Sequence, residues 1–590
     1  MLLFLFNLLG YKLLYSLFIF SAKDVSLKVF HFFLLKQLFV CSLTLIFLSG
    51  CNTLHANKSA ILQIEQGQFT QAKQTINQNY SAVGRDRLLY EIELATILHL
   101  EKDYLQSNQH LERAKAHIES FYTVSVSEQA LAMLSGPSFA NYEGKNYYLP
   151  LIHYLKALNF NALAQLNPSM RETYLDSTQV EMRQLDVYME NLKSKTGGYK
   201  SSEQEDEGSL TDIIYDILKP IAAPETLLEN IEYKDDAFIH LFSGLLNEQN
   251  NDLDAARLQY QRAAHAYENG FTKQYGLADT TEKLALKNLA RTMKLAGGYS
   301  SELQTLLSKH SSIEVPKGKQ VTIIQNLGIA PEKKQLNFML RAEARSKALV
   351  MYPIFIGSEQ EKREQRLWFQ MLYADTSLFD LMQNYILGDV SDVLLGTMTK
   401  RIPLGSLWDE AEDIGLIDAL EYGGRISVSY LAPPKLPVRK TEIWQGNKKL
   451  ADLEQFHSIS QLALQKALID AQSEIRIAFT REIVKALTAR KAMLVAGADQ
   501  NNLLGSFVKI ASTAVNAITA SADTRQWQSL PAQIRLAQFS LEPGLQNLTI
   551  KTTLNSGRVI QQSANIEVQG SMTVWHTRTF LNAVPTVNAL

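Results

Sequence analysis

Cysteine is almost absent: the chain of 590 residues has two, Cys41 and Cys51, too few for a disulfide framework or a thiolate zinc site. An excess of either charge is also missing. Fifty-eight Lys and Arg stand against 60 Asp and Glu, net −2, without the basic surface of a phosphate-reading nucleic-acid binder. Proline (15) and glycine (29) are sparse and 46% of residues are apolar, which excludes collagenous and disordered chains. Local catalytic signatures are lacking too: there is no G-x-S-x-G, no G-x-x-x-x-G-K-[ST], no H-E-x-x-H and no G-x-G-x-x-G behind a strand. His110 and His117 share a helix face, but seven residues is a rise of about 10.5 Å, too far to share a metal. No catalytic residue, metal or cofactor is expected.

The N-terminus carries the clearest signal. Met1–Phe20 and Val29–Gly50 are apolar, separated by the polar break Ser21–Lys28. The second run follows Lys36 and ends Leu48-Ser49-Gly50-Cys51, ahead of polar sequence. A lysine, about a dozen apolar residues and small residues before a cleavage point make a signal peptide. The apolar stretch is short for a membrane span of about 20 residues. The tetrapeptide resembles the lipobox of bacterial lipoproteins, which implies cleavage before Cys51 and acylation of that residue. Several acyl chains give stable anchoring. Fifty residues is long for such a signal: Met1–Lys28 reads as sequence upstream of the true start, with an extra membrane segment at Met1–Phe20 as the alternative. Removing residues 1–50 takes away four lysines and one aspartate, so the net charge moves from −2 to −5. Asn52 is not the aspartate that resembles an inner-membrane retention signal, so the expected address is the outer membrane, facing the periplasm.

After a tether at 51–57, residues 58–300 read as α-helical and partly repetitive. Ala60, Phe69, Ala72 and Ile76 recur as Ala95, Tyr104, Ser107 and Leu111, each 35 residues on, close to the period of a helix-turn-helix repeat. A third unit carries Gly244, Asp252, Leu253, Ala256, Tyr260 and Ala263. These spacings resemble tetratricopeptide repeats, with ordinary amphipathic hairpins as the alternative. Lys193–Gly208 is Gly-, Ser- and charge-rich and reads as a loop.

Beyond residue 310 the period changes. Strands are expected at Lys319–Gln325, Arg425–Tyr430, Thr441–Trp444, Gln533–Leu541, Leu548–Thr552, Arg558–Ser563, Asn565–Gln569 and Met572–Arg578. A hairpin turn is expected at Gln445–Lys448, and helices at Ser458–Ala496 and Leu503–Ala520. This order predicts an α+β chain, with a helical repeat domain before a mixed domain (310–585) built on a mainly antiparallel sheet.

Two features stand out there. Arg476, Arg481 and Lys485 lie along the long helix. With Glu474 and Glu482 interleaved they read as a solvated, salt-bridged face, with a face toward an acidic partner or lipid headgroups as the alternative. The second feature is Ala522–Pro531. Asp523 suits a turn, Trp527 is a large apolar anchor, and Leu530-Pro531 leads into a strand. Locking of the loop by Asp523 and Arg525 is the structural reading; a ligand pocket is the alternative. This segment, with Val321–Gln335 and the helical half behind a lipobox, resembles a family of uncharacterised proteobacterial lipoproteins whose C-terminal domain carries D-x-R-x-W-x-x-L-P. The resemblance implies a cell-envelope protein placed near lipoprotein activators of peptidoglycan synthases, and assigns no activity.

The expected function is a non-enzymatic adaptor, anchored by lipid at Cys51, whose helical half binds a protein partner. The alternative is a protein that binds or acts on peptidoglycan through a pocket in residues 310–585. No nucleic acid is expected as a partner.

Overall fold

The computed structural model describes residues 52–121, 140–196, 235–373, 399–420, 423–495 and 522–582, with isolated positions 214, 217, 218, 382, 385 and 386. The signal segment, Cys51, most of the expected 193–208 loop and the expected helix at 503–520 lie outside them. The chain divides into Met1–Ser59 and Ala60–Leu590. Of the first unit, only the start of helix α1 (Asn52–Glu65) is described; the second unit holds the rest of α1 and every other described element.

The first half is helical, with α2 (Phe69–Asn79), α3 (Arg87–Leu100), α4 (Tyr104–Phe121), α5 (Tyr148–Leu166), α6 (Arg171–Thr196), α7 (Ala237–Gln249), α8 (Leu253–Ala266), α9 (Thr280–Ala296) and α10 (Ser300–Lys309). Three hairpins, α1–α2, α3–α4 and α7–α8, share one turn. Gly67, Lys102 and Asn251 each adopt positive φ, at 73°, 68° and 61°. The next residue then donates its N–H five residues back: Gln68 to Gln63, Asp103 to Leu98 and Asp252 to Asn247, at 2.8–2.9 Å. This is Schellman closure of the preceding helix. Small residues let the paired helices close up. Ser107 donates to the Ala95 carbonyl at 2.8 Å, and a Cβ on Gly244 would fall 2.6 Å from the Tyr260 ring.

Lysine in a left-handed turn carries a steric cost that glycine avoids. Lys102→Gly is expected to raise the unfolding free energy by about 0.5–1 kcal/mol, and Asn251→Gly by less, since Asn tolerates this conformation. Urea midpoints of the two variants check this; a loss at Lys102 would contradict the turn.

Among the described residues the second half contains three four-stranded sheets. The first has the order β12 (Met572–Thr579), β1 (Gln320–Leu327), β9 (Gln533–Ser540), β8 (Glu454–His457), with β1 parallel to β12 and antiparallel to β9. The second runs β11 (Val559–Val568), β10 (Gly544–Leu554), β6 (Val438–Gln445), β7 (Lys448–Asp452), all antiparallel. The third runs β4 (Lys400–Pro403), β3 (Ala348–Ile354), β2 (Lys333–Glu343), β5 (Gly424–Leu431), also antiparallel. Helices α11 (Glu359–Leu372), α12 (Leu407–Asp413), α13 (Leu416–Ala419) and the 37-residue α14 (Ile459–Val495) accompany it. The chain is thus α+β, helical first and sheet-rich second, with mostly antiparallel sheets.

Every residue of β1 is buried, because its sheet is covered on both faces. Val321 and Ile323 pack with Ile443, Ile550 and Ile566 of the second sheet. Ile324, Ile534 and Val574 join the core of the helical half. That core runs without a break from Ala60 to Val574. The helical half also holds the outer edge of β12. Asn161 (2.8 Å) and Gln165 (2.7 Å) donate to the Val574 carbonyl, and Gln249 accepts its N–H at 2.6 Å.

Some local expectations change. The strands expected at 558–563 and 565–569 are one continuous strand, β11, because Ala564 and Ile566 keep the inward alternation through the polar run. Lys193–Thr196, expected in a loop, completes α6. Within 336–420, where no element was expected, lie most of β2 together with β3, β4 and α11–α13. Among the described residues no helix is long and apolar enough to cross a membrane.

Candidate functional site

The segment Ala522–Pro531 enters the sheet half as β9 and lies against the helical half. Asp523 accepts two bonds from the Arg525 guanidinium, Nε at 2.9 Å and Nη2 at 2.7 Å, and one from the Arg525 backbone N–H at 3.0 Å. Arg525 Nη1 then reaches Asp86 (2.8 Å), just before α3, and the Ala140 carbonyl (3.0 Å). Its guanidinium lies 5.3 Å from the Tyr142 ring centroid. One planar, always-charged fork therefore satisfies a carboxylate on its own loop and another on the helical half.

Two residues on, Trp527 is 1% exposed. Its indole N–H donates to Thr96 of α3 at 2.9 Å, and its backbone N–H to the Tyr148 hydroxyl of α5 at 2.9 Å. Tyr148 meets the indole edge to face, centroids 5.6 Å apart, a geometry favoured by aromatic quadrupoles. Gln528 N–H donates to Glu93 Oε1 at 2.6 Å. Beyond, Leu530 and Ala532 exchange backbone bonds with the β1 end, Ala330 N to Leu530 O and Ala532 N to Leu327 O. The five motif residues are thus brought together, and they join the two halves. The expected local lock is also a lock between distant parts of the chain.

The electrostatics follow from burial. Burial raises the Asp523 carboxyl, but the Arg525 fork outweighs it and the group titrates below its usual range. Burial opposes the charge on Arg525, and Asp523 with Asp86 holds it. Burial pushes Glu93 up to about 7, against hydrogen bonds from Ser529 and from the Gln528 backbone that favour its charged form. Behind Trp527, His99 is pushed down to about 4 by burial. His576, stacked on it at 5.3 Å, is pushed down to about 3 by burial and then by His99. Arg578 is lowered to about 9 by burial; it donates to the Gly328 (2.7 Å) and Ser529 (3.0 Å) carbonyls. A cavity of about 30 Å³ lies between Thr96, His99, Tyr154, Asn326, Trp527 and Arg578. That is room for a water or two, not for a substrate.

Because the folded Glu93 carboxyl titrates above its unfolded value, its neutral form is favoured by folding. The associated stability is full below about pH 4.5 and is lost as pH rises through about 7. Glu93→Gln, which keeps an acceptor for Gln528, should match the parent at pH 5 and exceed it at pH 8.5 by about 2 kcal/mol. Denaturant titrations at the two pH values read this; equal stabilities at both would contradict it.

The basic residues of α14 lie otherwise than expected. Arg476 and Arg481 are buried, so neither a solvated stripe nor a partner-facing one is formed there. Arg481 bonds its neighbour Glu482 at 3.2 Å, and Lys485 reaches the same carboxylate at 3.2 Å. The helix packs along β5, and a charge pattern does not reveal that its polar positions face protein.

Several buried polar clusters left no local trace in sequence. Asp470 is held by Lys145 (2.6 Å) and by Lys466. Arg291 pairs with Glu248 at 2.5 Å, which also accepts from Tyr260. His457 meets Asp236 at 3.0 Å. Asp470 and Asp236 each link side chains more than 200 residues apart, which no spacing rule anticipates. His110 bonds Glu91 at 2.6 Å. Among the described residues no three His, Cys, Asp or Glu side chains are grouped to hold a metal. Compared with models of known families the chain matches none, and no curated protein is significantly similar to it.

Proposed function

We propose that the protein is an outer-membrane lipoprotein, anchored through acylated Cys51 and facing the periplasm, that works as a non-enzymatic protein-binding adaptor at the cell envelope. The observation that carries the reading is the satisfaction of the D-x-R-x-W segment within the chain. Arg525 and Trp527 are engaged by Asp523, Asp86, Thr96 and Tyr148, so their chemistry holds the fold together. The shared turn of three helix hairpins supports reading the first half as tetratricopeptide-like, an architecture suited to binding proteins. One face of this array packs on its own sheet, so a partner would meet its outer face or the sheet half.

Two measurements test the proposal. Cys51→Ala should abolish labelled palmitate incorporation and release a soluble periplasmic protein; unchanged labelling would refute the anchor. Crosslinking in intact envelopes should then recover the lipidated protein with a stoichiometric protein partner. Specific retention on purified peptidoglycan, with no protein crosslinked, would replace the adaptor reading by the glycan-binding one.

A further inference from the structure

Among the described residues each sheet presents two edges, and five of the six are short, irregular, covered or buried, which disfavours the addition of another strand. β12 is capped by Asn161, Gln165 and Gln249. β5 is buried from Ile426 to Leu431, with α14 packed on it and Ser429 donating to Glu474 at 2.6 Å. β4 has four residues, two of them basic, and ends at Pro403. β7 is five residues with Lys448 and Lys449, and its pairing is irregular. β8 is four residues with a register shift.

β11 has none of these devices. It is ten residues long, Val559–Val568, without Pro, Lys or Arg, and its pairing with β10 runs from end to end without a bulge. Its other edge makes no backbone hydrogen bond to any described residue. The outward side chains Gln561, Ser563, Asn565 and Glu567 are exposed, and only Glu567 is charged.

We propose that β11 is a strand-addition surface whose occupant is β11 of a second copy of this chain, paired antiparallel about a twofold axis. The strand's own sequence argues for that occupant. With the axis at Ser563, Ser563 faces the partner's Ser563, Gln561 faces the partner's Asn565, and Val559 faces the partner's Glu567. Amides and hydroxyls meet across the axis and no like charges do, as an isologous contact requires. The two sheets join into one of eight strands, and the open N–H and C=O row of each copy is satisfied. This surface is independent of the Arg525–Trp527 contact between the halves and of the identity of any other partner.

The test uses the chain from residue 51 onward with Cys51→Ser, so that acyl chains play no part. Sedimentation equilibrium over about 1–100 µM should show a monomer–dimer equilibrium. Ser563→Lys, at an exposed position, sets two ammonium groups face to face and should weaken the dimer at least about tenfold. The double variant Gln561→Lys with Asn565→Glu replaces two neutral pairs by two opposite-charge pairs and should leave the dimer as strong or stronger. Circular dichroism and urea midpoints matching the parent show that each variant folds. A chain that stays monomeric throughout, or a dimer indifferent to Ser563→Lys in a folded variant, overturns the proposal.

Discussion

Trp527→Ala should lower the unfolding free energy by about 3–5 kcal/mol, the range for truncating a large buried aromatic. The ring is packed against Tyr148 and its N–H satisfies Thr96, so the loss combines a cavity with a broken hydrogen bond. The cavity opens beside the existing space near His99 and Tyr154, which leaves little to collapse into it. Trp527→Phe keeps most of the apolar contact and loses the bond to Thr96; it should cost about 1–2 kcal/mol. Urea unfolding of the three proteins orders them. A Trp527→Ala protein as stable as the parent would show that the indole does not hold the halves together.

Arg525→Ala removes the fork that neutralises Asp523, and leaves Asp86 with only its 3.4 Å contact to Arg85. The Arg525 side chain is 13% exposed, so solvent screens it little. Breaking a buried pair from one side costs about 3–5 kcal/mol. Arg525→Lys should recover only part, because an ammonium cannot reproduce the bidentate geometry. The pH dependence gives the signature. The folded Asp523 carboxyl titrates below its unfolded value, so its contribution is present above the ordinary carboxylate range and is lost as pH falls through the folded value. In Arg525→Ala that acid-side loss should shrink, and the variant should approach the parent toward pH 3. A deficit that stays constant from pH 7 to pH 3 would place the effect elsewhere.

The coarse architecture was legible because periodicity carries it. Ala60, Ala72, Ala95 and Ser107 mark closely packed helices, and all are buried. The change of period after residue 310 marks the sheet half, whose first strand is Gln320–Leu327. The role of the Asp523–Pro531 segment was legible in kind but not in reach. A turn-forming Asp, a Trp and a Pro before a strand announce a locked loop; nothing near them announces Asp86, Thr96 or Tyr148, more than 370 residues away. The long helix misled for a related reason. Arg476 and Arg481 beside Glu474 and Glu482 form the pattern of a solvated face, yet both arginines are buried. Charge spacing reports neighbours along a helix and is silent about what covers it. β11 was divided in two because Gln561-Gln562-Ser563 and Asn565 look like a break, whereas an edge strand of a sandwich needs only every second residue apolar.

The central claim is that the helical and sheet halves are one cooperative body, joined through Asp523, Arg525 and Trp527. Native-state hydrogen exchange on the intact chain, comparing the parent with Trp527→Ala, tests it most directly. Amides of α3 (Arg87–Leu100) and of β1 (Gln320–Leu327) should exchange with the same opening free energy in the parent, and both should lose the same amount in the variant. Loss confined to α3, with β1 as protected as before, would contradict the account.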